Sequence, residues 1–191
     1  MNAKNFMKKA VAAIMAFPAM LLALFGEVVA GRKIVYLVRV QSAATSSAAS
    51  ILAYTTQNGR TISADAQTTV TKDGTMRTAG TPQVEITFTA LLQKGDSMID
   101  TLTAAMKNGS LMECWEANLE SPVANETNKF KGIYWQGYLT SLGLTSNAEG
   151  NTEVSMTFAA NGAGETGDVT VTAAQQEQAS YVFTDTTVQQ A

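Results

Sequence analysis

The chain has 191 residues, 46% hydrophobic and 15% charged, with a formal charge of -3. That composition supports one ordinary domain with its own core and excludes wholesale disorder. It contains no histidine and a single cysteine, Cys114, which removes His-based nucleophile chemistry, imidazole metal ligation, an intrachain disulfide and a thiolate metal cluster.

The first thirty residues stand apart. Lys4, Lys8 and Lys9 precede an apolar run from Ala10 to Phe25, broken by Pro18, and Val28-Val29-Ala30 closes the stretch. A basic start, a short apolar middle and small residues at the end are the marks of an export signal. The run falls short of the roughly 20 residues that a spanning helix needs, so a membrane anchor is not expected. Three readings remain open: a cleaved signal, a retained arm that packs on a neighbouring subunit, or translated sequence upstream of the natural start. Without Lys4, Lys8, Lys9 and Glu27, 10 basic and 15 acidic side chains remain, a balance of -5. Tight phosphate binding needs clustered Lys and Arg, and this balance argues against it.

From Gly31 onward the pattern is that of one β-rich domain, residues 31–191. Ile34-Val35-Tyr36-Leu37-Val38 predicts a first strand, and Gln41 to Ser50 a loop. Ile51 to Thr56 predicts a short strand ended by Asn58-Gly59, a strong turn signal. Arg60 to Ala79 is polar and Thr-rich around Asp73-Gly74. It suits a projecting hairpin with no wholly apolar face, with Thr69, Thr71 and Thr75 on one side. Such a hairpin is unstable alone.

Val84, Ile86, Phe88 and Ala90 alternate with Glu85, Thr87 and Thr89, a strand that buries one face. Lys94-Gly95-Asp96 opens the main helix, with Asp96 as N-cap. Met98, Ile99, Leu102, Ala105 and Met106 form its apolar stripe, and Gly109 ends it. Leu111 to Ala117 predicts another strand, Glu120 to Lys129 a loop, and Phe130 to Leu144 a long strand. Its Gly132, Gly137 and Gly143 are expected to mark bulges or curvature. Val154, Met156 and Phe158 alternate with Glu153, Ser155 and Thr157. Asn161 to Gly167 is expected to be a flexible turn, since no Lys-Ser/Thr follows to make a phosphate loop. Val169 to Thr172 predicts a short strand, Ala173 to Ala179 a helical turn, and Tyr181-Val182-Phe183 comes next. The fold class is mainly β (α+β): a β-sandwich or partly open barrel with one main helix packed on it.

Few of these residues carry chemistry. Asp96 and Asp100 lie four apart but read as a cap and a solvent-facing carboxylate. Trp115, Tyr134, Trp135 and Tyr138 could stack bases, yet only Lys129 and Lys131 lie close by, so core or interface packing is the better reading. No nucleophile motif or carboxylate cluster is present, and the chain is read as a non-enzyme without cofactor or metal.

The order of these pieces resembles a known family. Lys72-Asp73-Gly74-Thr75, Lys94-Gly95-Asp96 with its helix, Glu113-Cys114-Trp115-Glu116 and Lys131-Gly132-Ile133-Tyr134-Trp135-Gln136-Gly137-Tyr138 carry it. Thr157-Phe158-Ala159-Ala160-Asn161-Gly162 and Tyr181-Val182-Phe183-Thr184-Asp185-Thr186 complete it. Together they resemble the major tail proteins of siphophages of low-GC Gram-positive bacteria, from which the leader before Gly31 departs.

The resemblance implies a virion tail component, assembled in the host cytoplasm. It implies hexameric rings that close a continuous inner β-barrel and stack into a non-contractile tube conducting DNA. The implied partners are further copies of the chain, the tape-measure protein, the tail terminator and the distal tail proteins. DNA would pass without specific binding. On this reading Glu85, Thr87, Glu153, Ser155 and Thr157 are candidates for the lumen face. Thr69, Thr71, Lys72, Asp73, Gly74, Thr75 and Arg77 are candidates for inter-subunit contacts. The alternative is an exported pilin- or adhesin-like β-sandwich subunit, which uses the leader but leaves the order of pieces unexplained.

Overall fold

The computed structural model describes residues 28–95 and 97–179. The Asp96 cap, most of the leader and Tyr181-Val182-Phe183 lie outside them. From Gly31 on, the described residues form one unit. Its first strands are β1 (Ile34–Val40), β2 (Ser50–Ile51) and β3 (Thr55–Ser63), and a separate two-stranded sheet joins β4 (Ala66–Thr71) to β5 (Gly74–Ala79). β6 (Gln83–Leu91), β7 (Met112–Pro122), β8 (Lys129–Thr145), β9 (Glu153–Ala160) and β10 (Glu165–Thr170) come after them. The main sheet is eight-stranded and antiparallel, in the order β2-β1-β7-β8-β9-β6-β3, with β10 off this path. β8 is long enough to serve two neighbours on one edge: β10 pairs with its first half and β9 with its second. The helices are α1 (Ser97–Lys107) and α2 (Ala173–Ala179).

The eight-stranded sheet curls on itself without closing into a barrel. β2 and β3 end it and do not pair with each other, yet side chains of distant strands meet inside the curl. Tyr36 of β1 meets the Phe88 ring of β6 edge-on, with centroids 5.5 Å apart. Ile86, Met112, Cys114, Trp135, Val154 and Phe158 fill the same interior, each at most 1% exposed. α1 adds Ile99, Leu102 and Ala105 from its buried face, with Met98 and Met106 packed beside them. Gly109, at φ +59°, lets the chain leave the helix in a left-handed turn. A second, smaller cluster covers the outer face of β1, β7 and β8, where Val35, Leu37, Ala117, Phe130, Val169 and Val171 meet Ala179 of α2.

Several sequence expectations are corrected. The chain reverses at Ala53–Tyr54, with Tyr54 at φ +52°, and not at Asn58-Gly59, which lies inside β3. Asn-Gly makes a hairpin turn when its own flanks pair with each other. Here Ile51 pairs back onto Leu37 of β1, while residues 55–63 pair along β6, and that ladder overrides the local preference. Arg60 is consequently in the main sheet and not in the hairpin. The strand expected to end at Ala117 continues to Pro122, and Glu165–Gly167 is strand and not turn. Gly137 marks a close approach and not a bulge: an added Cβ would lie 2.1 Å from the Ala159 carbonyl oxygen. The β8–β9 ladder shifts register between Leu139 and Ser141, and the β7–β8 ladder shifts beside the Ala117–Gly132 pair.

Candidate functional site: surfaces for assembly

Three arrangements leave the core and face outward or span the curl. The first is the outer face of β3, β6, β9 and β8. Residues directly opposite on neighbouring antiparallel strands share a face, and register fixes the set. Thr87 lies opposite Thr157, Thr89 opposite Ser155 and Leu91 opposite Glu153. β3 continues the face with Thr61 opposite Glu85 and Gly59 opposite Thr87. β8 continues it with Ser141, Gly143 and Thr145. Glu85, Thr87, Glu153, Ser155 and Thr157 are thus brought onto one surface, the first four exposed and Thr157 half-buried. Among these register positions the charges are Glu85 and Glu153, and none is basic.

The second is the β4–β5 hairpin. Every residue from Ala66 to Ala79 is exposed on both faces, including Val70 at 81% and Met76 at 62%. Lys72 and Asp73 form a two-residue turn, closed by the Thr71 hydroxyl donating to the Gly74 carbonyl at 2.7 Å. That turn pairs Thr71 with Gly74, Thr69 with Met76 and Val70 with Thr75. Thr75 is therefore on the face opposite to Thr69 and Thr71, a correction to the expected grouping. With a two-residue loop, odd-numbered residues of β4 share a face with even-numbered residues of β5. Arg77, opposite Thr68, shares the Thr75 face. The candidate contact residues thus divide between two faces and a tip.

The third arrangement ties the curl shut and was missed by sequence reasoning. Arg60 points inward from β3, 3.4 Å from the Glu116 carboxylate on β7 and over the Trp135 ring at 5.3 Å. Glu116 also accepts the Tyr36 hydroxyl at 2.8 Å. On the outer face Glu113 accepts Arg39 at 2.6 Å and the Tyr134 hydroxyl at 2.8 Å, while Trp115 and Tyr134 pack at 5.2 Å. The four aromatics considered as a base-stacking platform are dispersed. Trp135 is inside, Trp115 and Tyr134 are on the outer face of β7–β8, and Tyr138 pairs with Ala159 on the polar face. They serve packing.

Burial pushes the Tyr36 phenol well above its ordinary range, and Glu116 adds to the effect. Burial likewise pushes the Cys114 thiol up, so it is a packed side chain and not a nucleophile. Raised values in the folded state mean that the native protein holds protons the unfolded chain releases. Stability is then full below about pH 8.5 and 10, the ordinary Cys and Tyr values, and declines above them. We expect the unfolding free energy from urea titrations to fall on going from pH 8 to pH 11, by up to about 1.4 kcal/mol per pH unit for each group. Tyr36→Phe should flatten the decline above pH 10; an equally steep decline would rule out this origin.

A completed core beside an outlying, fully exposed ladder defines the class: a structural subunit made to be joined by others. A family model described as phage tail tube protein matches residues 28–166. A tail protein of Staphylococcus phage phiMR25 is 30% identical over 138 residues, covering 70% of this chain and 72% of that protein. The chain belongs to the phage tail tube protein family, a structural family and not an enzyme family, and is a component of the virion tail. Its fold is that of the SPP1 tail tube, with TM-score 0.62 and 21% identity, covering 80% of this chain and 86% of that one. The tail of an empty gene transfer agent particle, refined with C6 symmetry, has TM-score 0.53 and 12% identity, covering 71% of this chain and 96% of that one.

Proposed function

We propose that the chain is the major subunit of a non-contractile tail tube, forming hexameric rings that stack around a DNA-conducting lumen. The observation that carries this reading is the hairpin Ala66–Ala79, a paired ladder that buries neither face within the subunit. Isolated two-stranded ribbons are marginal in water, so its order comes from a surface supplied by other copies. The C6 symmetry of the gene transfer agent tail supports a sixfold ring. The implied partners beyond itself are the tape-measure, terminator and distal tail proteins, with assembly in the host cytoplasm. Residues 1–30 are a leader or arm distinct from the domain 31–191. Negative-stain micrographs of the purified chain should show hollow rods of stacked rings; monodisperse monomers at high concentration would overturn the reading.

The base-free face bearing Glu85, Thr87, Glu153, Ser155 and Thr157 is the lumen wall in this proposal. An acidic wall without Lys or Arg offers phosphates no cation to pair with and repels them, so DNA slides. Glu85→Lys with Glu153→Lys should leave tubes intact but slow DNA release from virions at low salt, with recovery as salt screens the attraction. Unchanged release kinetics would place this face elsewhere.

A further inference from the structure

We infer that the tip of the β4–β5 hairpin, Val70–Thr75, docks in a slot beside Tyr54 on a second copy of the chain. On the self-assembly reading, which this rests on, the slot is the surface that orders the hairpin. It is a cavity of about 850 Å³ between β1–β2 and the start of β3. Tyr36, Leu52 and Phe88 of the interior cluster give it an apolar floor, and the exposed Gln57, Gln93 and Gln178 give it a polar rim. Sites that enclose a small ligand run to about 300–1,000 Å³, so the slot admits a loop tip and not a whole domain.

Tyr54 lines this slot and is marked as an anchor by two observations. Its side chain is 64% exposed, so the subunit's own core makes little use of it. Its backbone is left-handed, at φ +52°, which costs a bulky residue free energy that glycine would not incur. Leu91 N–H holds that conformation by donating to the Tyr54 carbonyl at 3.1 Å. Strain of this kind collects at binding clamps, and Tyr is among the residues that dominate interface energies.

The hairpin tip matches the slot in chemistry. Val70 offers an apolar side chain for the floor, and Thr71 and Thr75 offer hydroxyls for the rim. The tip carries one charge of each sign, Lys72 and Asp73, and so does the slot, with Arg32 and Glu177. None of the four makes a salt bridge among the described residues, so each sign can meet its opposite across the contact. The outer edge of β3 also has no partner strand among the described residues. Thr55–Gln57, which line the slot, can therefore offer backbone groups to an incoming ribbon. A projecting element and a matching cavity elsewhere on one molecule make a heterologous contact, which repeats from copy to copy.

Tyr54→Gly in the full-length chain tests this, because it removes the ring and relieves the backbone together. The unassembled subunit should melt no lower than wild type, while the critical concentration for rods rises about tenfold or more. Variant rods at the wild-type concentration would overturn the slot alone; no rods from wild type would overturn the tube reading and the slot with it. As a second measurement, chains carrying Thr56→Cys are assembled with chains carrying Lys72→Cys and mildly oxidised. A disulfide-linked dimer that forms only in the mixture is the expected result. Rods without that dimer, or equal dimers from Lys72→Cys chains alone, would also overturn the proposal.

Discussion

Deleting Thr71–Thr75 from the hairpin tip is expected to leave a folded subunit that no longer builds rods. The segment contributes nothing to either core cluster, and its residues are exposed throughout. Changes at such positions usually alter stability by no more than about 0.5 kcal/mol. The thermal midpoint should therefore barely move. In the proposed assembly the same residues would sit where neighbours meet, and a hot-spot side chain at the centre of an interface is worth about 2 kcal/mol or more. A loss of that size raises the critical concentration for assembly about thirtyfold.

Deletion also changes the loop, so a second variant keeps the ladder: Val70→Asp with Met76→Asp. These two residues lie on opposite faces of the hairpin, so the pair separates one-sided from two-sided burial when each is also made singly. Rods of wild-type stability from both the deletion and the double variant would remove the hairpin from assembly. Val70→Asp alone abolishing rods would assign the docked face to Val70, Thr75 and Arg77.

How much the sequence could reveal depends on how local each signal is. The alternation at Val84–Ala90 and at Val154–Phe158, and the stripe from Met98 to Met106, are short-range patterns with one buried face. They lead directly to β6, β9 and α1. The five polar residues proposed for the lumen were legible for the same reason, since alternation assigns them to the face opposite the core.

The hairpin was legible as an element, but its faces depended on a turn of two residues that composition alone did not specify. Asn58-Gly59 misled because a ladder with β6, more than twenty residues away, outweighs a two-residue preference. The Arg60–Glu116–Tyr36 tie was invisible for a related reason. Its members come from β3, β7 and β1, and only the curling of the sheet brings them together. Register carries no signature in a single chain, and so neither does a contact made across the curl.

The largest loss of stability is expected where that curl is packed around Trp135. The ring is 1% exposed, lies under the Arg60 guanidinium, and donates Nε1–H to the Ala163 carbonyl at 3.1 Å. Trp135→Ala should cost roughly 3–5 kcal/mol, a large part of the about 5–15 kcal/mol that holds a domain of this kind. Gly164 serves the same contact from the other side. Its φ is +87°, and an added Cβ would lie 2.1 Å from Trp135 Nε1, so Gly164→Ala combines backbone strain of roughly 1–3 kcal/mol with a steric clash.

The two effects separate in a double-mutant cycle. Trp135→Phe removes the indole nitrogen edge that the new methyl would strike. Gly164→Ala should then cost less in the Phe background, with a coupling of about 0.5–3 kcal/mol, while the backbone strain remains. Urea unfolding followed by fluorescence of the remaining Trp115 would measure it. Strict additivity would mean that Gly164 is required by its φ alone, and that the Asn161–Gly164 turn does not hold the indole in place.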